Sequence, residues 1–111
     1  MKYILNSAVI TSEGVYEYRL ITLDEMKHWL KNNDWVSTIG YEQTAESIEE
    51  LTGIKVPVDR KIIKMEVGDE ALVFRLVFPK GTKRIDPKQK GQLSKEFILE
   101  NCEMGILKRL G

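Results

Sequence analysis

Ser37-Thr38-Ile39-Gly40-Tyr41-Glu42-Gln43-Thr44-Ala45 is where one hydrophobic periodicity stops and another begins. Upstream, Trp35 to Ile39 is a short β-branched run that predicts a strand. Downstream, Ala45, Ile48 and Leu51 recur at helical spacing, and Gly53 is placed to end that helix in a left-handed cap. A glycine breaks the strand, and polar side chains lead into the helix. Backbone N–H groups at such a helix start, together with the helix dipole, favour an anion. A strand followed so closely by a helix also sets the fold class: α/β, with helices packed on a sheet.

The rest of the chain fits one α/β domain with a mixed sheet of about five strands. Lys2 to Val9 is apolar on both faces, as a central strand would be, and Asn6 and Ser7 bring hydrogen-bonding groups near its end. Ser12-Glu13-Gly14 predicts a turn. Val15 to Ile21 alternates Glu17 and Arg19 against Tyr16, Tyr18 and Leu20, a half-exposed strand expected to pair with the first. Thr22 and Glu25 have capping-box spacing ahead of Leu23, Met26, Trp29 and Leu30, so a helix should run to about Lys31. Arg60 to Val67 alternates with Ile63, Met65 and Val67 inward, Gly68-Asp69 makes a tight turn, and Glu70 to Phe78 forms the second arm of a hairpin. Arg75 is the conspicuous polar group of that arm, with either a ligand phosphate or a neighbouring carboxylate as its partner. Ser94 to Asn101 predicts a short helix, and Gly105 to Leu110 a last strand or a turn leading into one.

Composition narrows the function. The 111 residues carry 17 Lys plus Arg against 17 Asp plus Glu, so the net charge is zero and duplex nucleic acid is not an expected partner. One cysteine, Cys102, excludes an internal disulfide and suits a reducing cytoplasm. No apolar run approaches a membrane span, and no signal peptide is read at the start. A lone His28 off the apolar stripe and no carboxylate cluster at ligand spacing predict no metal site and no cofactor. Lys80, Lys83, Arg84, Lys88 and Lys90 face one acid, Asp86, across residues 80–91: a solvated loop, or a basic flap over an anionic ligand.

Taken in order, several short pieces resemble the viral ring-nuclease family, small anti-CRISPR proteins of archaeal viruses, phages and integrative elements. They are Leu5-Asn6-Ser7, Ile39-Gly40 with Thr44, Leu51-Thr52-Gly53, Val56-Pro57-Val58-Asp59-Arg60, Gly68-Asp69-Glu70-Ala71, and Gly105 to Leu110. The resemblance implies a homodimer that holds a cyclic nucleotide second messenger, cyclic tetra-adenylate in the family, across its two-fold interface. It implies a ligand site of Asn6, Ser7, Gly40, Tyr41, Gln43 and Thr44, joined by Arg75 and the basic Lys80, Lys83 and Arg84.

Active members of that family carry a histidine straight after Ile-Gly, where this chain has Tyr41. Imidazole titrates near neutral pH and suits protonation of a leaving oxygen; a phenol with a pKa near 10 is a poorer acid. Losing a placed general acid costs on the order of 10²–10⁴-fold in rate. Those members also have Arg followed shortly by Glu after the long strand, where this chain reads Phe78-Pro79-Lys80-Gly81. The expectation is a protein that sequesters the messenger. Two alternatives stand beside it: an altered ring nuclease with Tyr41 as its catalytic residue, and an inhibitor that blocks a defence or host enzyme by surface contact.

Overall fold

The computed structural model describes residues 1–7, 12–77 and 95–111. Its elements run β1 (Lys2–Leu5), β2 (Tyr16–Leu20), α1 (Leu23–Asn32), β3 (Val36–Ser37), α2 (Glu42–Thr52), β4 (Glu70–Leu76), α3 (Lys95–Glu100) and β5 (Cys102–Arg109). The five strands form one mixed sheet in the order β2-β5-β4-β1-β3. β1 lies parallel to both β3 and β4, while β5 is antiparallel to β4 on one side and to β2 on the other.

Both long helices form where local chemistry directs them. At the start of α1, the Thr22 hydroxyl accepts from the Glu25 N–H at 3.2 Å, and the Glu25 carboxylate accepts from the Thr22 N–H at 3.2 Å. Two donors that a helix start would leave unpaired are thereby satisfied. α2 ends at Gly53, whose φ of 74° places it in the left-handed region while its N–H donates to the Glu49 carbonyl at 2.7 Å. Met26, Trp29 and Leu30 of α1, Ala45, Ile48 and Leu51 of α2, and Ile98 of α3 pack on Ile4, Leu72, Phe74, Met104 and Ile106 of the sheet. This is the main core. On the opposite face Ala71, Val73 and Leu107 form a smaller cluster with Met65, joined by Tyr3, Leu5, Tyr16 and Ile63.

Two expected pairings are corrected. β2 does not pair with β1; it is an edge strand bound to β5, with Tyr16 opposite Arg109 and Leu20 opposite Gly105. An exposed, charge-alternating strand belongs at an edge, whereas β1, apolar on both faces, takes an interior place. Nor do residues 60–67 form a strand, and the hairpin ahead of β4 is absent. A strand has only two edges, and β4 has given both away: Lys2 to Leu5 pair along one and Cys102 to Lys108 along the other. Ile63 and Met65 still turn toward the sheet, as their alternation predicts, but as a side-chain cover without a hydrogen-bonded ladder, while Val67, expected inward with them, is exposed. The turn itself is present: Gly68 has φ 91°, and the Asp69 N–H donates to the Glu66 carbonyl at 2.9 Å. β5 begins at Cys102, three residues before the expected start at Gly105. Among the described residues no helix is long and apolar enough to cross a membrane.

Candidate functional site

Parallel strands deliver their carboxyl ends to one edge of a sheet, and ligands of α/β proteins commonly bind there. β1 leaves the sheet into Asn6-Ser7, and β3 leaves it into Thr38-Ile39-Gly40-Tyr41. Thr38 ties the two exits together, since its N–H and its hydroxyl both donate to the Ile4 carbonyl, at 3.0 and 2.8 Å. A third strand of chain is drawn in from beyond α2. The Ser37 hydroxyl donates to the Pro57 carbonyl at 2.6 Å, and the Asp59 N–H donates to the Ile39 carbonyl at 2.9 Å. These bonds carry Arg60 and Lys61 onto the strand exits.

The result is a cavity of about 660 Å³, within the range of small-molecule sites. Asn6, Ser7, Thr38 and Gly40 supply its polar wall; Leu5, Ile62, Ile63 and Met65 its apolar one; Tyr16 and Tyr41 stand as aromatic walls. Arg60 and Lys61 are its charged lining, and among the described residues no Asp or Glu contributes. Arg60 lies over the Tyr41 ring, its Cζ 5.7 Å from the ring centroid. Arg109 caps the Tyr16 ring in the same manner at 5.9 Å. Lys61 is paired with Asp59, Nζ to Oδ2 at 2.9 Å. Cations, amide and hydroxyl donors, aromatic faces and no carboxylate make a setting for an anionic ligand with planar groups.

The expected site residues fall into three groups. Asn6, Ser7, Gly40 and Tyr41 meet in the cavity. Gln43 and Thr44 lie in the first turn of α2 outside its lining, with Thr44 buried. Arg75 is engaged elsewhere: its Nε donates to Glu103 Oε2 at 2.9 Å and its Nη2 stands 2.8 Å from the same oxygen. Tyr18 donates to the other oxygen of Glu103 at 3.2 Å, and burial first, then the Glu103 charge, raises its phenol pKa. Lys80, Lys83 and Arg84, with the rest of the basic 80–91 stretch, lie outside the described residues. Arg60, Lys61, Thr38 and Tyr16 are the charged, polar and aromatic lining residues that sequence reading missed, beside the apolar Leu5, Ile62, Ile63 and Met65. An adjacent Arg-Lys pair just after Pro57 was the available signal for two of them. His28 is exposed and hydrogen-bonded to Asn32. Among the described residues no group of three or more His, Cys, Asp or Glu is placed to hold a metal ion.

Comparison with known proteins matches residues 2–99 to the STIV B116-like family. The YddF protein of Bacillus subtilis (strain 168) is 42% identical over 74 residues, which make up 65% of this chain and 68% of YddF. Protein 26 of the Sulfolobus islandicus filamentous virus is 33% identical over 76 residues, 65% of this chain and 64% of that one. ORF117 of the Acidianus two-tailed virus is 30% identical over 79 residues, 67% of this chain and 68% of its own. The solved structure of B116 from Sulfolobus turreted icosahedral virus shares the fold, with a TM-score of 0.76 at 16% identity, over 97% of this chain and 98% of that one.

Proposed function

The chain belongs to the STIV B116-like family, and on that footing we propose that it is an anti-defence protein of a virus or mobile element that binds a cyclic oligonucleotide second messenger and holds it uncut. The observation that carries this reading is the lining of the cavity. Arg60 and Lys61 answer phosphodiester charge, Tyr16 and Tyr41 offer faces for bases, and Asn6, Ser7 and Thr38 offer polar groups for sugar or base edges. The missing imidazole at position 41 argues for retention of the ligand over turnover. Relatives in two archaeal viruses agree with a role in a mobile element.

The site works as half of a two-fold pair in this reading. Among the described residues β2 has one unpaired edge, and its Tyr16 lines the cavity. The Ile21 N–H donates to Met104 across the β5 side at 3.0 Å, so by alternation Tyr16, Tyr18 and Leu20 turn their backbone groups outward. A second β2, antiparallel and centred on Tyr18, would exchange backbone hydrogen bonds at those three residues. It would set Glu17 opposite Arg19 of the partner subunit, and the reverse, in the close non-hydrogen-bonded positions. The strand is thus self-complementary in both backbone and charge. Two cavities would then share one face of a continuous ten-stranded sheet, flanking the two-fold axis, where a ligand of rotational symmetry fits.

The test is to incubate the purified protein with a panel of cyclic oligonucleotides and analyse bound and released species by mass spectrometry. Recovery of intact ligand after long incubation is expected. Linear products within minutes would replace the sequestering reading with the nuclease one. No binding to any member of the panel would remove the nucleotide reading and leave inhibition by surface contact.

A further inference from the structure

We infer that Gly40 and Tyr41 form a seat for the Arg60 side chain, which makes Tyr41 the residue that positions the cavity's cation and not a donor of protons. The inference rests on the binding role proposed above and assigns work within that site. The Arg60 guanidinium carbon lies 5.7 Å from the Tyr41 ring centroid, within the reach of a cation–π contact. Beneath it, the aliphatic stem crosses Gly40 so closely that a Cβ there would stand 3.0 Å from both Cγ and Cδ and 3.3 Å from Nε. Even an alanine would press on the arginine. What the position favours in glycine is proximity, since its φ is not positive.

Both halves of the seat are held by backbone. Tyr41 is the N-cap of α2, extended at φ −128° and ψ 127°, and its carbonyl accepts from the Ala45 N–H at 3.2 Å. Arg60 follows Asp59, whose N–H is bound to Ile39 at 2.9 Å. The nearest acid in sequence does not compete for the guanidinium, because Asp59 is paired with Lys61. Among the described residues Arg60 makes no ion pair, so its N–H edge stays available to fork onto a phosphate while the ring supports its face. An aromatic face is what the seat requires; the phenolic oxygen is not.

The experiment compares Tyr41→Phe, Tyr41→Leu and Gly40→Ala with the unaltered protein in two readouts. The first is the Arg60 Nε–Hε resonance of the ligand-free protein, which the ring current of Tyr41 should shift upfield. The shift should persist in Tyr41→Phe and vanish in Tyr41→Leu. Its absence from the unaltered protein, or its survival in Tyr41→Leu, overturns the seat whether or not any nucleotide binds. The second is affinity for cyclic tetra-adenylate. Tyr41→Leu should weaken it on the order of 3–10-fold, Gly40→Ala should weaken it too, and Tyr41→Phe should leave it nearly unchanged. In an Arg60→Gln background, Tyr41→Leu should cost less affinity than it does alone. Losses that simply add in that background, or an equal loss in Tyr41→Phe, overturn the positioning role. If cyclic tetra-adenylate does not bind while the resonance behaves as expected, the seat stands and the choice of ligand falls.

Discussion

Replacing Glu17 with Lys should weaken self-association, and the size of the effect follows from the geometry of β2. In a two-fold pairing centred on Tyr18, each substitution acts twice. Two attractive cross-strand pairs between Glu17 and Arg19 of the partner subunit become two repulsive ones. An opposite-charge pair directly across two strands contributes about 0.2–1 kcal/mol, and like charges oppose by a similar amount. Losing two attractions and adding two repulsions therefore amounts to about 0.8–4 kcal/mol, or about 4–900-fold in the dimer dissociation constant. Neither position is isolated within the chain, since Glu17 faces Lys108 across the ladder with β5 and Arg19 bridges Glu25 at 3.1 Å. Both partners of that bridge are roughly half exposed, so it adds little to stability. The double substitution Glu17→Lys with Arg19→Glu reverses both charges and should restore much of the association. Sedimentation velocity over a concentration series reads the constant directly. A monomer at micromolar concentration in the unaltered protein, or a Glu17→Lys variant that associates as well, would refute the reasoning.

Three further outcomes are expected. Asp69 is buried, which favours its neutral form, but a hydrogen bond from the Glu66 N–H and the bond and charge of the Met1 ammonium outweigh that and lower its pKa. Its folded pKa lies below its unfolded one, so its contribution is complete above about pH 4 and is lost as pH falls through the folded value; urea unfolding of Asp69→Asn should show a shallower loss of stability on acidification, and an identical pH profile would remove this assignment. Gly53→Ala meets no atom within 4 Å yet must hold φ 74°, so a loss of about 1 kcal/mol should appear in thermal melting as a pure backbone effect, and an unchanged midpoint would contradict it. Phe74 is fully buried at the centre of the main core, and Phe74→Ala should cost about 3–5 kcal/mol, read by chemical denaturation; a loss below about 1 kcal/mol would mean that the core refills the space.

The helices were legible because their signals are local. A Thr and a Glu three residues apart, an apolar stripe, and a terminal glycine each act within one or two turns, and α1 and α2 appear where those signals lie. Strand partners were not legible, because alternation says which face a side chain takes and nothing about which neighbour lies beside it. Tyr16, Tyr18 and Leu20 do share a face, yet their partner comes from the far end of the chain. Ile63 and Met65 do face the sheet, yet β4 had no edge left for them. The same distinction governs the site. Gly40 breaking a strand pointed to the exit of β3, but Arg60 arrives twenty residues later, by way of bonds from Ser37 and Ile39 that leave no mark in the sequence. Arg75 drew notice as a lone charge on a strand, and its partner Glu103 sits 28 positions away on β5.

The position of β5 has a bearing on how the protein is made. It follows every other element in sequence, yet it lies between β2 and β4 in the sheet. As the chain leaves the ribosome, β1, β3 and β4 can join with the first two helices, while residues 16–20 have no strand to lie against. Only when Cys102 to Arg109 emerge does β2 gain its inner neighbour, and with it a rigid outer edge. Pairing between subunits through that edge would then be held back until β5 has emerged. Its arrival also closes the second edge of β4, which until then offers unpaired backbone groups to any neighbouring strand.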